Sequence, residues 1–99
     1  MQPFQELIQS ETPVLVDFYA DWCGPCKAMT PVIQEVAREI TGKARVIKID
    51  IDKNTQAAQA YGVSAVPTFI LFKKGQIVWR TSGAMPKSQL EAAIRPHLG

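Results

Sequence analysis

Pro13 gives way to Val14-Leu15-Val16-Asp17-Phe18-Tyr19. Both alternating sets of this run are apolar or aromatic apart from one carboxylate, so it reads as a strand buried on both faces. Asp21 to Gly24 then turn the chain, and Pro25 suits the first turn of a helix, where its missing N–H costs nothing. Met29, Val32, Ile33, Val36, Ala37 and Ile40 form an i, i+3, i+4 stripe that carries this helix to about Ile40, and Gly42 ends it. Pro31 lies inside the helix and is expected to kink it.

The remaining segments continue the alternation. Pro3 to Gln9 suits a short helix, with Phe4, Leu7 and Ile8 at helical spacing. Ala44 to Ile51 reads as a second strand, with Val46 and Lys48 on one face and Ile47, Ile49 and Ile51 on the other. Asn54 is placed to cap a helix ending near Tyr61-Gly62. Thr68 to Phe72 and Ile77 to Thr81 read as strands joined by a turn from Lys73 to Gln76. Gly83 breaks the chain, Pro86 opens a last helix with Leu90, Ala93 and Ile94 inward, and Pro96 stops it. Strands alternating with helices imply an α/β fold with a parallel sheet and right-handed crossovers, and the hairpin adds an antiparallel edge.

Length and charge narrow the function. Ninety-nine residues suit a single domain over 1–99. A formal net charge of +2, with Lys73-Lys74 at a hairpin tip as the only adjacent basic pair, argues against nucleic acid as the main partner. No apolar run approaches the roughly 20 residues that span a bilayer, so no membrane partner is expected. The amino end lacks the basic flank and apolar stretch of a signal peptide, which makes the cytoplasm the expected location.

Both cysteines of the chain lie three positions apart, Cys23 and Cys26. A bridge between them closes a tiny loop and staples nothing distant, unlike the structural disulfides of small secreted domains. They sit where a strand hands over to a helix. At a helix N-terminus, unpaired N–H groups and the positive end of the dipole stabilise a thiolate, so the Cys23 pKa falls and its reactive fraction rises. Cys26 lies one turn later on the same side, within disulfide reach. Cys23 is expected to be the exposed nucleophile and Cys26 the group that resolves the mixed disulfide. Gly24 and Pro25 add no bulk beside the nucleophile, and Pro25 stiffens the loop. Zinc would need four ligands where the chain offers two cysteines and one distant histidine, His97, so no metal is expected.

Val16-Asp17-Phe18-Tyr19-Ala20-Asp21-Trp22-Cys23-Gly24-Pro25-Cys26-Lys27 resembles the active-site stretch of the thioredoxin family. Val66-Pro67-Thr68-Phe69 resembles its substrate-groove proline loop, and Ser82-Gly83-Ala84 the small-residue turn that completes the groove. The resemblance covers nearly the whole chain. It implies a thioredoxin-like fold, a disulfide reductase acting on other proteins and serving redox homeostasis, and no bound cofactor beyond the Cys23–Cys26 disulfide. Electrons would come from NADPH through a separate flavoprotein, thioredoxin reductase.

Asp17 is anomalous on physical grounds alone. A carboxylate inside an apolar strand is expensive to ionise, so its pKa is expected to rise. Such a group near Cys26 can take that thiol's proton as it attacks the mixed disulfide, and the resemblance implies the same role. Lys48, on a neighbouring strand, is the expected partner that holds and tunes it. Pro67 is expected to be cis by resemblance, leaving the Val66 backbone free to pair with an extended substrate segment. Trp22 beside the nucleophile suits a contact surface, completed by Val66, Gly83 and Ala84.

Two departures from the family pattern bear on the fold. Thirteen residues precede Val14, whereas family members carry a longer amino end with an extra edge strand. A sheet of about four strands, flanked by helices on both faces, is therefore expected, with a less protected edge. Tyr19 stands where the family often has a second Trp. A monomer is expected. The competing functions are a disulfide oxidase or isomerase, disfavoured by Gly24-Pro25 in place of a histidine, and a redox-dependent binding subunit that uses the same groove.

Overall fold

The computed structural model describes residues 3–99 and places Val14–Tyr19 (β1) in the interior of a four-stranded sheet. Its neighbours are Arg45–Asp50 (β2), parallel to it, and Thr68–Lys73 (β3), antiparallel. Gln76–Ser82 (β4) pairs antiparallel with β3, giving the spatial order β2-β1-β3-β4. β1 and β3 are the two interior strands, and packed layers cover both faces of the sheet over them, which is why their side chains are buried in both directions.

The helices lie in two layers. Gly24–Glu39 (α2) and Lys87–Ile94 (α4) bury Met29, Ile33, Val36, Leu90 and Ile94 against Leu15, Phe69 and Leu71. On the opposite face Ile8 and the aromatic rings of Phe4 and Tyr61, from around Phe4–Leu7 (α1) and Thr55–Ala60 (α3), close over Val14, Val16, Phe18, Ile49, Ile70 and Phe72. The alternation of β1 thus sends Val14, Val16 and Phe18 to one layer and Leu15, Asp17 and Tyr19 to the other.

Some boundaries differ from the sequence reading. α1 is a single turn and stops at Leu7, short of Gln9; Ile8 is then fully buried beneath the sheet's hairpin end. Asn54 occupies the N-cap position of α3, but its side chain makes no cap bond; it donates to the Asp50 carbonyl instead. α2 runs unbroken through Pro31. The last helix ends at Ile94 and tightens into a 3₁₀ turn at Arg95–His97, which contains Pro96. Among the described residues no fifth strand joins the sheet.

The hairpin turns through Lys74 and Gly75, both with positive φ (53° and 80°), the two-residue geometry whose twist matches the flanking strands. Its amides are tied down: Lys74 N–H donates to Ser10 O and Gly75 N–H to Ile8 O. At the other end of the sheet the C-termini of β1, β2 and β4 and the N-terminus of β3 come together. That end carries the cysteines.

Candidate active site

α2 begins one residue after Cys23, which is its N-cap, and Pro25 sits in its first turn. The backbone N–H of Cys26 donates to Cys23 Sγ at 3.1 Å. One of the orphan amides of the helix start is therefore aimed at sulfur, the arrangement that stabilises a thiolate. The two cysteines form a disulfide, with Cα atoms 5.3 Å apart. Gly24 and Pro25 are exposed, and a Cβ added at Gly24 would meet nothing within 4 Å.

The expectation of an exposed nucleophile needs correction for this oxidised form. Cys23 is 4% exposed and Cys26 7%, so exposure does not separate them. Ala20, Tyr19, Ile51 and Val66 pack around the pair. What distinguishes Cys23 is its place ahead of the helix, its contact with the Cys26 amide, and its Sγ lying 3.6 Å from the Val66 carbonyl oxygen.

Val66 and Pro67 reach the cysteines from the loop between α3 and β3, and the Val66–Pro67 peptide is cis. Several bonds hold this loop. Arg80 donates to the carbonyls of Tyr61 and Gly62, and Thr68 Oγ1 donates to Ala65 O at 2.6 Å. Gly83 N–H donates to Pro67 O at 2.9 Å, which joins the end of β4 to the proline loop. Gly83 has φ +98°, a conformation that a side chain resists, and so allows this turn. Ala84 follows it and is exposed. Trp22 is 69% exposed, the largest apolar surface beside the disulfide.

Asp17 is 3% exposed, and its Oδ1 has no hydrogen-bond partner among the described residues. Burial pushes its pKa up to about 6, and the positive charge of Lys48 partly counters the rise. Lys48 is the cross-strand neighbour of Asp17 in the register of β1 and β2. The expected ion pair is absent, however: Lys48 is exposed, and its ammonium lies over the Tyr19 ring, 4.5 Å from the centroid. The reason is geometric: the long stem reaches past the buried carboxyl to an aromatic face at the solvent edge, where the ammonium stays hydrated. Lys48 therefore acts on Asp17 through space, without contact. A cavity of about 120 Å³ lined by Tyr19, Ala20, Cys26, Thr30 and Lys48 opens beside the pair.

Asp52 was not anticipated from sequence. Its Oδ2 accepts the Trp22 indole N–H at 2.9 Å and so fixes the exposed ring. The buried Asp50 places it: Asp50 Oδ1 accepts the N–H of Asp52 at 2.8 Å in a local turn. The available signal was the pair of aspartates closing a strand parallel to β1, because loops after parallel strands gather at one end of a sheet. Among the described residues no group of three or more His, Cys, Asp or Glu side chains is arranged to hold a metal. A hollow of about 570 Å³ lies between Pro3–Gln5 and 53–60 and touches neither cysteine.

Comparison with known proteins places this geometry among relatives. The Thioredoxin family model matches residues 1–96. Thioredoxin 1 of Nostoc sp. is 46% identical over 95% of this chain and 88% of its own length. The chloroplastic thioredoxin Y of Oryza sativa subsp. japonica is 52% identical over 96% of this chain, which spans 57% of that protein. Among solved structures, oxidised mitochondrial thioredoxin 3 from Saccharomyces cerevisiae superposes with a TM-score of 0.85 at 36% identity, covering 94% of this chain and 86% of that one.

Proposed function

This chain belongs to the thioredoxin family and is a thiol–disulfide oxidoreductase, and on that premise we propose that it works as a dithiol reductant of protein disulfides. The observation that carries this reading is the Cys23–Cys26 pair at the start of α2, with the Cys26 amide on Cys23 Sγ. In the reduced protein the Cys23 thiolate attacks one sulfur of a substrate disulfide. The substrate S–S bond breaks, its other sulfur leaves as a thiolate, and a mixed disulfide forms on Cys23. Cys26 then loses its proton and attacks Cys23 Sγ, releasing the second substrate thiolate and closing the Cys23–Cys26 disulfide. Two electrons pass to the substrate.

Asp17 is the proton acceptor for Cys26 in this reading. It lies on the α2 side of β1, and with a pKa of about 6 it is largely ionised at neutral pH yet buried, so it takes up a proton readily. Resolution of the mixed disulfide should therefore speed up as pH rises through about 6. Trp22, Val66, Pro67, Gly83 and Ala84, beside Gly24 and Pro25, form the surface on which an extended substrate segment lies, with its backbone paired to Val66. A separate reductase supplied by NADPH returns the electrons. A working dithiol needs a reducing compartment, and we place the chain in the cytoplasm. The chloroplastic rice relative makes a plastid the alternative that cell fractionation decides.

The test is reduction of insulin disulfides by a small dithiol, with and without the protein. Wild type should accelerate it strongly. Cys23→Ser should abolish the effect, and Cys26→Ser should accumulate a covalent protein–substrate disulfide. No acceleration by wild type would sink the reading. A redox potential well above that of glutathione would recast the protein as an oxidase. The exposed Trp22 favours one second reading, a redox-dependent docking subunit. It predicts that a Cys23→Ser, Cys26→Ser double variant keeps biological activity.

A further inference from the structure

Lys48 stands opposite Asp17 in the sheet register, the position from which a cation would pair with that carboxyl. Its ammonium instead lies 4.5 Å from the centre of the Tyr19 ring. Tyr19 and Asp17 are two residues apart on one face of β1, so Lys48 has two places to rest, and the ring holds it at the outer one. Tyr19 and Lys48, with Cys26, line the cavity of about 120 Å³. We propose that Tyr19 is a positioning residue: its ring face holds the Lys48 ammonium off the Asp17 carboxyl and leaves that carboxyl unpaired to take the Cys26 proton. The proposal rests on the reading of Asp17 as proton acceptor.

The chemistry demands such a separation. A carboxylate in direct contact with an ammonium is a poor proton acceptor, because an opposite charge within about 4–6 Å lowers its pKa by about 1–3 units. Removing the cation altogether would leave a buried group reluctant to ionise at all. A cation held at the solvent edge gives an intermediate condition: enough attraction to ionise Asp17 near neutrality, and too little to quench its basicity. The other groups on this side are Cys26 and Lys27 from α2, Asp21 from the loop after β1, and Asp50 from β2. Asp50 already accepts the amides of Asp52 and Lys53, and the neighbour of Asp17 on β3 is the apolar Phe69. Lys48 is the one cation among these on a strand next to Asp17.

The experiment is titration of the Asp17 carboxyl carbon by NMR in wild type, Tyr19→Leu and Tyr19→Phe, each with Lys48 and with Lys48→Gln. With Lys48 present, Tyr19→Leu should lower the Asp17 midpoint by about one pH unit as the released ammonium moves toward the carboxyl. The pH profile of mixed-disulfide resolution should move with it. Tyr19→Phe, which keeps the ring, should titrate like wild type. In the Lys48→Gln background Tyr19→Leu should move nothing further. An equal shift in both backgrounds would mean that the ring only excludes water, and would overturn the proposal; so would an absent shift, or a Phe variant that moves as far as Leu. Should Tyr19→Leu fail to fold, the Lys48 ε-methylene protons decide: in wild type and Tyr19→Phe they should show an upfield ring-current displacement, and its absence rejects the contact. An Asp17→Asn variant with an unchanged pH profile would refute the proton-acceptor reading, whereas the carboxyl titration tests Tyr19 independently of activity.

Discussion

The two sides of β1 are made of alternate residues of one six-residue strand, yet they do different work. Val14, Val16 and Phe18 are fully buried beside Ile70 and Phe72 and beneath Ile8, Phe4 and Tyr61, and that side is apolar along its length. Leu15, Asp17 and Tyr19 grade from core to solvent toward the cysteine end, passing a buried carboxyl and an aromatic ring under an ammonium. Burial of apolar surface gains free energy wherever it occurs, whereas burial of a carboxylate costs it. The cost is met on the side and at the end where a proton has to be held. The fold thus separates stability from reactivity by the pleat of one strand.

Removing Phe18 tests the separation most strongly. Phe18→Ala should cost about 3–5 kcal/mol in denaturant unfolding, while the folded fraction reacts with disulfides at the wild-type rate. A change of more than several-fold in that rate would show that the two sides are coupled. Asp17→Asn should act in the opposite sense. The folded pKa is raised to about 6 against an ordinary 3.8, so the folded state holds the proton more tightly and stability falls as pH rises between the two values. The substitution removes this penalty: it should stabilise the protein by on the order of 2–3 kcal/mol at pH 8, and the gain should fade toward pH 4. Slower resolution of the mixed disulfide at pH 7 should accompany it. A destabilised Asn variant at pH 8 would place the value of Asp17 in structure.

Smaller effects sharpen the contrast between the two ends of the sheet. Gly75→Ala puts a side chain on a residue with φ +80° and a Cβ 2.5 Å from Gln9 Nε2, and should cost about 1–2 kcal/mol with no effect on the redox chemistry. At the cysteine end, Trp22→Phe keeps the ring but loses the bond to Asp52. It should leave stability within about 0.5 kcal/mol and raise KM for a protein disulfide by roughly two- to fivefold, the worth of about one hydrogen bond. An Asp52→Ala variant that removes the acceptor and matches Trp22→Phe would confirm that the fixed indole, rather than its bulk, is what the substrate meets.

Much of this arrangement was legible before the structure. The apolar run of β1, interrupted by Asp17 alone, called for burial on both faces, and β1 and β3 are the two interior strands. The stripe from Met29 to Ile40 is the face α2 buries. Cys23 at a strand–helix junction predicted the amide contact that Cys26 supplies. The misreadings have a common cause. Asn54, Lys48 and Cys23 were assigned partners or exposure by residue type, and each depends on what else lies within a few ångströms. The Asn54 side chain donates to the Asp50 carbonyl and leaves the first turn of α3 without a side-chain cap. A ring at the solvent edge outcompeted a buried carboxyl for Lys48. The loop that brings Val66 over Cys23 comes from 43 positions away.

Local sequence determined the strands, the helices, the turn at Lys74-Gly75 and the pairing of the two cysteines, because backbone sterics, hydrophobic period and a three-residue spacing act over short distances. Tertiary structure alone decided which end of the sheet gathers Trp22, Asp52, Val66 and Gly83, and whether Lys48 rests on Tyr19 or on Asp17. Those outcomes depend on strand order, register and competing contacts between segments far apart in the chain, and short-range patterns do not encode such distances.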